Sequence, residues 1–222
     1  MIKLKKKICF SIAIDGDSAS GKTTASKFLA KYFGFKLLTS GKLYRYLAFR
    51  IIKDKKKKLD KIYLKKISNN ITFKKLQNNK MMYSDNVTSY ASSIAKIKFV
   101  RKLLNKFQKK FSKNKKFIIE GRDIGSKILP NADLKLFFKC SPKEKAKRRL
   151  KEYNKEKRKI TLKEVKKSLK KRDYSDKNRK ESPLIFVKGA VLVDTTKLTI
   201  NQMEVKLKKI VLKALKKKYG NL

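Results

Sequence analysis

The chain reads as an α/β protein, a parallel five-stranded sheet covered by helices. Three observations predict this class. An apolar run, Ile8-Cys9-Phe10-Ser11-Ile12-Ala13-Ile14, leads into a glycine loop and then into apolar residues at helical spacing (Ala25, Phe28, Leu29, Tyr32, Phe33). Later apolar runs at 117–119, 134–138 and 190–193 lack polar alternation and are each followed by helical sequence, the pattern of strands buried on both faces. No repeat and no linker rich in glycine, serine or proline divides the 222 residues, so a single domain over 1–222 is expected.

The elements follow in order. The strand over 8–14 and the helix after the loop come first, then a short strand at 35–38. A helix over 42–53 places Leu43, Tyr46, Leu47 and Arg50 along one side, and 54–58 forms a solvated connector. Residues 59–113 read as an insertion. It holds one short helix, a hairpin (Ile71-Thr72-Phe73, a turn at Asn78-Asn79, Met81-Met82-Tyr83) and two helices. Between 142 and 171 lie two very charged helices with little apolar content, expected to pack weakly and to move as a lid. A final helix spans about 200–218.

Composition narrows the function. No apolar stretch reaches the roughly 18 residues of a membrane span, and the N-terminal lysines and apolar run are too short for a signal peptide, so a cytoplasmic protein is expected. Cys9 and Cys140 fall in or beside predicted buried strands, where a thiol acts as a small hydrophobe, and the absence of histidine argues against a metal cluster. The net charge of +47 suggests nucleic acid, but the lysines are spread over every segment, with abundant Asn, Ile, Phe and Tyr. That is the mark of A- and T-rich codons and solvated lysine faces rather than a basic stripe. No specific nucleic-acid partner and no membrane are expected. Self-repulsion favours a monomer.

The loop Gly16-Asp17-Ser18-Ala19-Ser20-Gly21-Lys22-Thr23 fills the pattern G-x-x-x-x-G-K-[ST] between a strand and a helix. Glycines let successive backbone N–H groups turn inward to phosphate oxygens, and the new helix adds its positive end. Lys22 then reaches the β- and γ-phosphates, and the hydroxyl of Thr23 or Thr24 faces Mg²⁺. The residues from Gly16 to Thr24 therefore imply a nucleoside-triphosphate site. Only nine of the 64 basic residues are arginine, and a chain so rich in lysine is expected to place arginine where a planar fork matters. Several lie in polar motifs, which implies a second anionic group facing the triphosphate.

Across 12–202 the chain resembles the bacterial cytidylate kinases of the nucleoside-monophosphate kinase group. The resemblance rests on the loop and on Thr39-Ser40-Gly41-Lys42-Leu43-Tyr44-Arg45, Ala91-Ser92-Ser93 with Val100-Arg101, Glu120-Gly121-Arg122-Asp123-Ile124-Gly125, Lys171-Arg172-Asp173…Asp176-Lys177-Asn178-Arg179 and Ser182-Pro183-Leu184. It implies the nucleoside-monophosphate kinase fold, with 59–113 binding the monophosphate and 142–171 as the lid. It also implies ATP and Mg²⁺ as cofactors and CMP or dCMP as acceptor. Arg45, Arg122 and Arg179, with Ser40, would hold the acceptor phosphate. Asp123 with Arg101, helped by Ser92, matches cytosine's amine and two acceptors, whereas uracil would set a carbonyl against Asp123. Asp176 with Arg172 would hold the ribose, and Arg148 and Arg149 would close over the transferring group. Simpler roles exist: Asp123 and Ser40 sit where helix caps occur, and Asp173 and Asp176 lie beside basic residues. Alternatives are a kinase for UMP or another small acceptor, or a basic nucleic-acid-binding protein.

Departures from the family pattern are also expected to matter. Thr23 stands where a glycine is usual, and Lys145 where a lid arginine is often found. Tyr83 interrupts an Ile-Arg-Thr run, and the insertion is shorter than usual. Asp17 replaces a common proline, and a carboxylate so near phosphates is expected to point to solvent.

Overall fold

The computed structural model describes residues 8–56, 59–76 and 80–220. Strand β1 (Phe10–Gly16) is buried along its length except at Ser11, which places it at the centre of a sheet. It pairs in parallel with β3 (Lys116–Glu120) on one side and β4 (Leu134–Lys139) on the other, and β4 pairs in parallel with β5 (Val191–Asp194). With β2 (Lys36–Thr39) the order is β2-β3-β1-β4-β5. The predicted five-stranded parallel sheet, flanked by helices, is observed.

The chain forms two compact units. The first joins the segment ending at Leu37 to the segment beginning at Asn114. In it α1 (Lys22–Phe33) and α9 (Ile200–Tyr219) pack on the sheet. Ala25, Leu29 and Phe33 of α1 and Met203, Leu207, Val211 and Leu215 of α9, at nearly four-residue spacing, close a core around Phe10, Ile12, Ile14, Leu136, Phe138 and Val193. Helix α1 ends at Gly34, whose left-handed backbone (φ 70°) lets its N–H reach the Ala30 carbonyl. Helix α9 begins with a capping box between Thr199 and Gln202. The charged helices α7 (Pro142–Lys155) and α8 (Leu162–Asn178) have a small core of their own in Ala146, Val165 and Leu169.

The second unit spans Leu38–Lys113. It contains α2 (Ser40–Lys53), α3 (Lys61–Asn69), the single turn α4 (Phe73–Leu76), α5 (Asp85–Ile94) and α6 (Lys98–Phe111). The predicted hairpin is not formed. Phe73 opens α4 and stacks on Phe107 and Phe111 with ring centroids 5.9 and 5.3 Å away, and Lys80–Tyr83 is a 3₁₀ turn. Helical packing on α6 overrides a local preference for strand. The predicted turn at Asn78-Asn79 lies outside the described residues. A second correction concerns Cys9: it is exposed at the start of β1, while Cys140 is buried as expected.

Candidate active site

Strand β1 ends at the middle of the sheet with β3 and β4 ending beside it, the position where open α/β sheets collect ligands. Gly16 is required there. Its φ is +143°, and an added Cβ would lie 2.1 Å from the Phe138 carbonyl oxygen. Gly21 (φ +86°) then turns the chain into α1.

Lys22 is 4% exposed, and its ammonium donates to the Asp17 carbonyl oxygen. Burial, then the charge of Arg122, pushes its pKa down to about 7, with Arg172 adding to the shift and Glu120 and Asp173 opposing it. A dry ammonium beside two guanidinium groups is a cradle suited to a polyanion. Of the two candidate threonines, Thr23 donates to the Glu120 carboxylate (2.9 Å) at the end of β3. That pair offers hard oxygen donors of the kind a divalent cation takes. Glu120 is a functional candidate that sequence reasoning passed over; its position at a strand end beside Gly121-Arg122-Asp123 was the available signal. Asp15 is the other. Its buried carboxylate accepts the N–H groups of Ile124 (2.9 Å) and Gly125 (2.7 Å), fixing the turn that follows Arg122 and Asp123. Burial pushes Asp15 up to about 6 against those two bonds.

Two arginines of the first unit, Arg122 and Arg179, converge on Asp176. Arg122 Nε meets Asp176 at 2.8 Å, and its Nη2 donates to the Ser18 hydroxyl in the loop (3.0 Å). Arg179 reaches the other Asp176 oxygen at 3.3 Å and Asp123 at 3.7 Å, while its Nε donates to the Ser182 carbonyl. Burial alone would raise the Asp176 carboxyl; Arg122, Arg172 and Arg179 outweigh it and hold it below the ordinary aspartate value. Asp176 is thus the shared counter-ion of the arginines. Arg148 donates to the Thr195 hydroxyl (3.0 Å) and carbonyl (2.7 Å), and Thr195 donates to the Ser20 carbonyl (3.0 Å), linking α7 to the loop. Arg149 pairs within α7 with Glu152 at 2.8 Å.

Asp17 overturns an expectation. It is 6% exposed rather than turned to solvent, with Lys145 at 3.3 Å and Lys177 at 3.2 Å. In the second unit Ser40 is buried in the first turn of α2, where Thr39 and not Ser40 is the cap residue. Arg45 lies over the Tyr83 ring at 5.0 Å. Arg101 donates to the Ala95 carbonyl (2.9 Å) and lies over Tyr44 at 5.6 Å, and Ser92 is half-buried on α5. Asp123 precedes the turn Ile124–Ile128 but makes no side-chain cap to it.

The chain is similar to known proteins over most of its length. The chain is similar to cytidylate kinases of Caldicellulosiruptor bescii (33% identity, covering 93% of this chain and 97% of that one) and Fusobacterium nucleatum (38%, 86% and 92%). Two solved structures share the fold at 15–16% identity. One is an uncharacterized protein from Eubacterium ventriosum (TM-score 0.53, covering 91% of this chain and 98% of that one), the other a Thermus thermophilus protein (0.50, 93% and 98%). The cytidylate kinase family model matches residues 12–213, and the chain belongs to that family.

Proposed function

We propose that this chain transfers the γ-phosphoryl group of ATP to CMP or dCMP, giving ADP and CDP or dCDP. The observation that carries the reading is the arginine pair. Arg122 and Arg179 share Asp176 directly beside the loop hydroxyl of Ser18, so a second phosphate finds two preset guanidinium groups next to the triphosphate cradle. Transfer of this kind rests on positioning and charge neutralisation, not on covalent chemistry by the protein.

The loop from Gly16 to Thr24 would hold the triphosphate by its backbone N–H groups, with Lys22 regaining its full charge against the β- and γ-phosphates. Mg²⁺, when bound, would offset charge between those phosphates, and Thr23 with Glu120 supplies oxygen donors for it. In the first unit, Arg122 and Arg179 would neutralise the acceptor phosphate and Asp123 would accept from the cytosine amine. For the second unit, the family resemblance implies that Arg45 and Ser40 contact the phosphate and Arg101 and Ser92 the base. Arg172 and Asp176 face the ribose side, and Arg148 and Arg149 screen the transferring group from the lid. Among the described residues no helix is long and apolar enough to cross a membrane. We take the chain as a cytoplasmic monomer.

The test is ADP release with ATP and Mg²⁺ against CMP, dCMP, UMP, AMP and GMP. Activity confined to CMP and dCMP is expected. Equal activity on UMP would refute base selection by Asp123, and no activity with any acceptor would refute the kinase reading.

A further inference from the structure

The phosphate-binding loop carries a carboxylate of its own, Asp17, and the structure shows how that charge is handled. Asp17 Oδ2 lies 3.3 Å from the Lys145 ammonium, which lies 2.6 Å from Asp173 Oδ2. The other oxygen of Asp173 accepts the backbone N–H of Ser18, the residue after Asp17, at 2.8 Å. The contacts form a ring from the loop to α7, across to α8 and back to the loop. Among the described residues Lys145 alone bridges both carboxylates, and its side chain is 7% exposed, so its ion pairs are dry and little screened by salt. Lys177 also reaches Asp17, at 3.2 Å, but its side chain is half in solvent and its contribution is correspondingly screened.

We propose that Lys145 is a positioning residue for the triphosphate: by neutralising Asp17 and Asp173 together it keeps the loop free of surplus negative charge and holds its Ser18 corner in place. This rests on the reading of the loop as the triphosphate site. With Lys145 present, both carboxylates of the ring are paired, and the approaching phosphates meet Lys22 and Arg122 with no unpaired carboxylate beside them. Without it, a buried carboxylate remains inside the loop with only the half-exposed Lys177 beside it, and Asp173 loses the cation on Oδ2 that fixes the carboxylate whose Oδ1 accepts from Ser18. Burial of Lys145 would lower its pKa, but Asp173 and Asp17 outweigh this and hold the ammonium above its ordinary value, so it stays charged at neutral pH.

The experiment measures the ATP dissociation constant by isothermal titration calorimetry, with KM for ATP and for CMP, in wild type, Lys145→Met, Lys145→Arg and the double variant Lys145→Met/Asp17→Asn. Lys145→Met is expected to weaken ATP binding about tenfold or more, because like charge is left beside the phosphates in a site of low dielectric. KM for CMP should move less than about threefold, and Lys145→Arg should retain most of the affinity. The decisive arm is the double variant. Removing the surplus carboxylate should return the ATP dissociation constant to within about threefold of wild type, which a merely structural anchor would not do. An unrescued double variant, or equal loss for ATP and CMP with a lowered melting temperature, overturns the proposal. Wild type that binds ATP but fails to phosphorylate CMP would overturn the acceptor assignment and leave the binding comparison decisive. Wild type that binds no ATP would overturn both readings.

Discussion

Burying the Lys22 ammonium destabilises the ligand-free fold, and Lys22→Met should expose that cost. The ammonium is buried, faces Arg122 and Arg172, and has a pKa pushed down from 10.5 to about 7. Because the folded value lies below the unfolded one, the unfolded chain binds the proton more tightly between those limits. The penalty is complete below pH 7 and disappears as pH rises through 10.5. The shift corresponds to destabilisation on the order of 5 kcal/mol at neutral pH. Methionine fills a similar volume without charge but forfeits the bond to the Asp17 carbonyl, so a net gain on the order of 2–3 kcal/mol is expected. At this chain length that raises the melting temperature by about 5–10 °C. Calorimetry of ligand-free wild type and variant at pH 7, 8, 9 and 10 should show the gap shrinking towards alkaline pH. ATP should stabilise wild type far more than the variant, whose kinase activity should be lost. A variant that melts at or below wild type at pH 7, or a gap that persists unchanged at pH 10, would refute the reasoning.

Glu120→Gln removes the carboxylate facing Thr23 and should raise the Mg²⁺ concentration for half-maximal rate about tenfold, read by metal titration at saturating nucleotides. Asp176→Asn leaves Arg122 and Arg179 without their common counter-ion. Calorimetry should show a loss of about 3–5 kcal/mol, and KM for CMP should rise. Leu207→Ala opens the core where α9 meets the sheet and should lower stability by about 2–5 kcal/mol in urea unfolding, with kcat per folded molecule retained.

Local chemistry made some of this legible in the sequence and distance hid the rest. The strand, loop and α1 were readable because glycine spacing and apolar periodicity act over about twenty residues. α9 was readable because Met203, Leu207, Val211 and Leu215 repeat at nearly helical spacing. The turn at Phe73 was misread because its partners, Phe107 and Phe111, are contributed by a later helix. Asp17 was misread for the same reason, since Lys145 lies 128 residues away in the chain. A lone carboxylate in a phosphate loop looks misplaced until its cation is found. Asp173 and Asp176 stand three residues apart on α8, yet one serves Lys145 and Ser18 and the other serves the arginines. That division depends on which side of the helix meets the loop, and composition does not report it.

The same chain distances govern how the first unit is made. Cys9, at the mouth of the central strand, and Tyr219, at the end of α9, are 210 residues apart, yet the Tyr219 hydroxyl bonds the Cys9 backbone. Lys218 of the same helix joins Asp133 at the foot of β4. During synthesis β1 and β4 emerge long before the helix that seals their core, leaving Phe10, Ile12 and Phe138 without their α9 neighbours until that helix has been made. Parallel pairings between remote segments form slowly, and their unsealed strands invite wrong partners. Nascent chains halted before residue 200 should therefore be the aggregation-prone, chaperone-bound form of this enzyme, while the helical Leu38–Lys113 unit, closed by near neighbours in sequence, is positioned to fold early.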